Sequence, residues 1–192
     1  HVQYLARGSG SPTYASFERG WNEVAAAGGG TITLIKDVTA SGGSLGSGSG
    51  FRGGAALVPR GCPITLELNG HTVDRALQTP SDNGSVLIVE GELTLQDRTT
   101  EQRGAIMGGS STNNGGGISV RSGGVLHLKS GSVLENASQT PGGGIYNAGT
   151  VHMSGGKVSD NRGGGVYQGG LFQISGAAKI AGNSGSANIY LP

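Results

Sequence analysis

The sequence predicts an all-β fold, a parallel β-solenoid closed at its N-terminal end by one α-helix. Three observations predict it. Glycine is far above its usual share, 40 of 192 residues, yet its placement follows a repeat rather than the scatter of a disordered chain. A phrase of three glycines and a β-branched residue occurs at 115–118, 142–145 and 163–166, and self-similarity at such spacing marks stacked repeats. Each repeat then carries three short alternating runs, the period of strands rather than of helices.

Residues 1–30 read as an N-terminal segment and residues 31–192 as the coils. In the segment, Ser11 suits a helix N-cap and Pro12 the first helical position. Tyr14, Phe17, Trp21 and Val24 recur on one face, which predicts a helix over about 12–27. Its apolar face is expected to cover the core of the first coil, as solenoid ends require. Upstream strands are expected at 31–35, 64–68, 86–89, 93–95 and 105–107. The Ser/Gly-rich stretch 40–54 reads as a flexible excursion between strands.

In the clearer repeats, Ile118, Ile145, Val166 and Ile189 are equivalent anchors, 27, 21 and 23 residues apart. A second run reads Leu126-His127-Leu128, Val151-His152-Met153 and Phe172-Gln173-Ile174. In the third run, Val133, Val158 and Ile180 are each followed three residues later by Asn136, Asn161 and Asn183. An inward asparagine at a corner can bond backbone groups of its own and the neighbouring coil, so these three are expected to form a structural ladder. At about 4.8 Å per coil, six to seven coils make a rod about 30 Å long. The phrase beginning at Asn188 opens another coil without its glycines, and the solenoid is expected to continue into further domains of a longer parent chain.

The formal net charge is +1, with 13 scattered basic residues. That leaves no electrostatic footprint for nucleic acid. No apolar run approaches the roughly 20 residues of a membrane span, so membrane insertion is not expected. The lone cysteine, Cys62, stands among apolar neighbours and reads as a buried small residue, not a reactive thiol.

The phrases Gly-Gly-Gly-Ile-Tyr-Asn (142–147), Val-His-Met-Ser-Gly-Gly-Lys-Val-Ser-Asp-Asn (151–161) and Ile-Thr-Leu-Glu-Leu-Asn-Gly-His-Thr (64–72) resemble right-handed parallel β-helix repeats. Such repeats, of the pectate-lyase-like superfamily, are found in large secreted surface proteins of Gram-positive gut bacteria. The resemblance runs from about Thr31 to the end of the sequence. It implies a right-handed β-helix and an extracellular or cell-wall-associated protein. It implies no single activity, because the fold carries lyases, hydrolases, adhesins and inert stalks alike.

Function is therefore sought in the columns that stacking creates on the exterior. Tyr146, Tyr167 and Tyr190 fall in one column, fitted either to cross-strand packing or to ligand binding. His127 and His152 share another, where a zinc ion would lack further ligands. Glu135 stands over Asp160, the weak candidates for a catalytic pair, since carboxylates one coil apart approach the spacing of a retaining glycosidase. The same pair is within reach of calcium, but no calcium motif is present and no cofactor is expected. Lys157 beside them favours an ordinary corner charge. The sequence thus reads as a non-catalytic structural or adhesive module. The alternative is a carbohydrate-active one, binding glycan through the tyrosine strip or related to a polysaccharide lyase or glycoside hydrolase. Its expected partner is a host or microbial glycan or a surface protein.

Overall fold

The computed structural model describes residues 4–6 and 13–192. Stacked strands in three large sheets dominate it. The second sheet is parallel throughout, running Val38–Thr39, Thr72–Asp74, Ala105–Met107, Ser132–Leu134, Lys157–Ser159 and Lys179–Ile180. The first and third sheets carry their strands in the same sequence order, one per layer. Each has an antiparallel addition at its N-terminal edge. The architecture is all-β and solenoid-like, with one short helix near the N-terminus.

The register explains the spacing of the apolar residues. In the third sheet Ala56, Leu87, Ile118, Ile145, Val166 and Ile189 pair in one file. In the first sheet Ile64, Leu93, Leu126, Val151 and Phe172 form another. The second contributes Val38, Val73, Ile106, Val133, Val158 and Ile180. These files meet in one apolar cluster, where each buried aliphatic side chain stabilises the fold by about 1.5–3 kcal/mol. Ile174 is 51% exposed and Ile189 36%.

The helix, α1, spans Phe17–Ala26, several residues later than the sequence pattern predicts. Ser16, in an extended conformation, caps it by accepting from the Arg19 N–H at 3.2 Å. Tyr14 is not helical; it lies in the two-residue strand Thr13–Tyr14 and packs beside Gly20. The expected cap residues Ser11 and Pro12 lie outside the described residues. Phe17, Trp21 and Val24 do share one buried face and join the same apolar cluster as the coils. Trp21 is fully buried, and its Nε1–H donates to the Leu57 carbonyl at 2.9 Å. Cys62 is buried in the same cluster, where desolvation pushes its thiol pKa up.

The stretch 40–54 is pinned where its composition predicts a loose excursion. Glu18 accepts from the Ser47 N–H and hydroxyl at 2.8 and 2.7 Å. Asn22 donates to the Ser47 carbonyl and accepts from the Gly50 N–H. Leu45 and Phe51 are buried. Beneath the excursion, the guanidinium of Arg75 donates to the carbonyls of Gly43, Gly53, Asn83 and Ser85. Arg75 is 1% exposed, and desolvation lowers its pKa to about 10, which leaves it charged at neutral pH. Its four carbonyl bonds offset part of the cost of burying that charge.

Candidate functional site

Stacking turns recurrent residues into rows along the axis. Asn136 Nδ2 donates to Asn161 Oδ1 at 3.1 Å, and Asn161 Nδ2 to Asn183 Oδ1 at 2.9 Å. The same oxygens accept the backbone N–H groups of Asn136 and Asn161, both at 3.1 Å. Asn183 finds its acceptor five residues on, giving its N–H and Nδ2–H to Asn188 Oδ1 at 3.2 and 2.9 Å. Asn136 also begins an Asn-Ala-Ser sequon, but its side chain is buried in this row.

The glycine phrase is shaped by two rows at once. A Cβ at its third glycine, Gly117, Gly144 or Gly165, would lie 2.8 Å from Nδ2 of Asn136, Asn161 or Asn183 respectively. A Cβ on its first glycine, Gly115 or Gly142, would lie 2.9 and 2.7 Å from the Cβ of Tyr146 and Tyr167 in the next layer. These first glycines also have φ of 81° and 94°, a region costly for residues with a Cβ.

Tyr146, Tyr167 and Tyr190 are in register and stack face to face. Their ring centroids are 4.7 and 5.8 Å apart, with interplanar angles of 6° and 15°. The ring faces are thus turned to one another along the axis. Towards the N-terminus the column continues as Ser119, Ile88 and Leu57, all buried.

His127 pairs with His152, and their rings stack at 5.0 Å and 9°. His127 Nε2 lies 3.4 Å from Glu92 Oε1. In-plane lone pairs of parallel rings do not converge on one ion. Among the described residues no group of three or more His, Cys, Asp and Glu side chains could hold a metal ion.

Glu135 and Asp160 precede the row asparagines, with φ of 54° and 57°; Gly182 holds the equivalent place at 72°. Both acidic residues are exposed at a left-handed corner, and Lys157 Nζ lies 3.7 Å from Asp160 Oδ2. The corner conformation favours glycine and short polar residues such as Asp160.

The inward asparagines were readable in the sequence, but the buried charged groups were not. Asp97 is fully buried. Its carboxylate accepts from the N–H groups of Gly70, Thr99 and Gly104 and from the Thr99 hydroxyl. Arg98 instead pairs with buried Glu67 at 2.6 Å. The Asp-x-Thr spacing was a readable turn signal. Arg75 had none, because its carbonyl partners come from three separated stretches of chain.

Burial raises the Asp97 pKa, but its hydrogen bonds outweigh burial and hold it below the ordinary 3.8. A folded-state pKa below the unfolded one adds stability above the unfolded value, and that stability is lost as pH falls through the folded value. The melting-temperature gap between wild type and Asp97→Asn is therefore expected to be constant from about pH 5 to 7 and to shrink below about pH 4. Thermal unfolding across that range measures it; a gap unchanged at low pH would show that Asp97 gains nothing from ionisation.

No family model, curated protein or solved structure matches the chain significantly. Among the described residues no helix is long and apolar enough to cross a membrane.

Proposed function

We propose that this chain is a non-catalytic structural or adhesive module, a right-handed parallel β-helix belonging to a secreted or cell-wall-associated protein. In this reading α1 caps the first coil and residues 31–192 are the coils. One observation carries it: the rings of the exterior strip stack at 4.7 and 5.8 Å, which occupies both faces of Tyr167 and one face each of Tyr146 and Tyr190. A sugar bound by an aromatic platform needs an open ring face. Stacked rings, set over glycines that make room for them, instead fasten each layer to the next.

The Tyr146→Ala/Tyr167→Ala double variant tests the reading. It is expected to lose about 1–3 kcal/mol in denaturant unfolding, with no selective loss of binding across a panel of neutral host and plant glycans. Binding abolished at unchanged stability would instead make the strip a carbohydrate site. Release of reducing ends or unsaturated products from any polysaccharide in the panel would make the module an enzyme.

A further inference from the structure

We infer that a groove at the corner between the first and second sheets binds a glycan bearing sulfate or phosphate esters. The groove, about 460 Å³, is lined by Lys129, Lys157 and Lys179 together with Gln102, Ser132 and Ser154. All three lysines are exposed. Lys157 and Lys179 pair directly across neighbouring parallel strands, and like charges placed opposite each other destabilise a sheet. A fold held only for its own stability gains nothing from that pairing. An anion spanning the two layers turns it into an attraction.

The acidic groups nearby neutralise only part of the groove, Asp160 pairing with Lys157 while Lys129 and Lys179 have no ion pair among the described residues. Glu101, on its rim, is paired with Arg103 at 2.6 Å. Asp160 faces Lys157, but the residue equivalent to Asp160 in the Lys179 layer is Gly182. Lys157 and Lys179 lie on successive layers about 4.8 Å apart, and Lys129 lies across the corner on the layer before them. Cations spread over three layers suit a polymer with repeated charges better than a single compact anion. The cationic lining is lysine, with the guanidinium of Arg103 engaged elsewhere. Arginine's fork pairs bidentately with carboxylates and phosphates alike, whereas lysine binds phosphate as a point charge and imposes no planar geometry. With no arginine fork in the lining to hold a planar carboxylate, the ester classes are the fit proposed over a uronate. Hydroxyl and amide groups of Ser132, Ser154 and Gln102 supply donors and acceptors for the sugar.

The inference rests on the module reading only in taking binding to occur without turnover. Calorimetric titration of the full chain at low ionic strength tests it, with dextran sulfate, dextran phosphate, neutral dextran and polygalacturonate as probes. At least one ester polymer is expected to bind, with affinity falling as salt is raised. Neutral dextran is expected not to bind, and polygalacturonate to bind more weakly. Lys129→Gln/Lys179→Gln is expected to weaken ester-polymer binding about tenfold or more. Arg19→Gln/Lys36→Gln, which removes equal charge elsewhere, is expected to leave it unchanged. Both variants should unfold at or near the wild-type temperature. Binding of neither ester polymer, equal losses in both variants, or polygalacturonate as the tightest ligand would overturn the site. Shortening of a bound polymer would overturn the non-catalytic reading and leave the site standing.

Discussion

Replacing Trp21 by alanine is expected to cost about 3–5 kcal/mol, the range for truncating a large buried aromatic. The indole is fully buried, 5.2 Å from the Phe17 ring, and Phe17 in turn meets Phe51 edge-on at 6.3 Å. Truncation leaves a cavity between α1 and the pinned excursion, and the Leu57 carbonyl loses its side-chain donor. Trp21→Phe separates the two contributions, because it keeps most of the volume and removes only the N–H; about 1–2 kcal/mol is expected. Equilibrium unfolding in urea gives both values. If α1 closes the first coil, Trp21→Ala should also expose apolar surface and promote association, seen by size-exclusion chromatography. A monomer with unchanged midpoint would remove the helix from its proposed role as a cap.

Asn161→Ala is expected to destabilise by about 2–4 kcal/mol through a different mechanism. Asn161 Oδ1 accepts two N–H groups of Asn136, while its Nδ2 donates to the carbonyls of Val133 and Ser159 and to Asn183. Alanine removes the side-chain acceptor of the Asn136 N–H and the side-chain donor to Val133 and Ser159, while Asn136 Nδ2 keeps the carbonyls of Ile106 and Leu134 and Asn183 Oδ1 keeps the Asn161 N–H; each buried group left unpaired costs about 1–3 kcal/mol. Asn183→Ala, at the partly exposed end of the row, should cost distinctly less. Equal losses at the two positions, measured by denaturant titration, would mean that burial of the row contributes nothing.

The stacked-strand architecture was legible because its signal is repeated. Three copies of the glycine phrase fixed the phase of the anchors, and Ile118, Ile145 and Val166 pair as that phase requires. The tyrosine and histidine columns follow from the same register. The helix start was not legible, since the apolar positions continue through Tyr14 while the chain there is a strand; the Ser16 cap, and not periodicity, sets the boundary. The 40–54 excursion was misjudged because glycine and serine describe the backbone's freedom but not the side chains of Glu18, Asn22 and Arg75 that reach it. The lysine groove was visible only as separate residues. Lys129 belongs to a different run from Lys157 and Lys179, and only the corner brings them onto one surface.

The asparagine row also gives the molecule a direction in time. Asn136 has two N–H donors whose acceptor arrives 25 residues later, on Asn161, and Asn161 depends in the same way on Asn183, 22 residues further on. A newly laid coil is thus an unfinished template, and its successor completes it. Chain emerging from a ribosome N-terminus first would add coils onto a base already fastened by Trp21 and Arg75, so each step is a short-range docking instead of a search across the whole chain. Asn183 is served differently: its acceptor, Asn188, lies only five residues on, so these two bonds close within one stretch of chain.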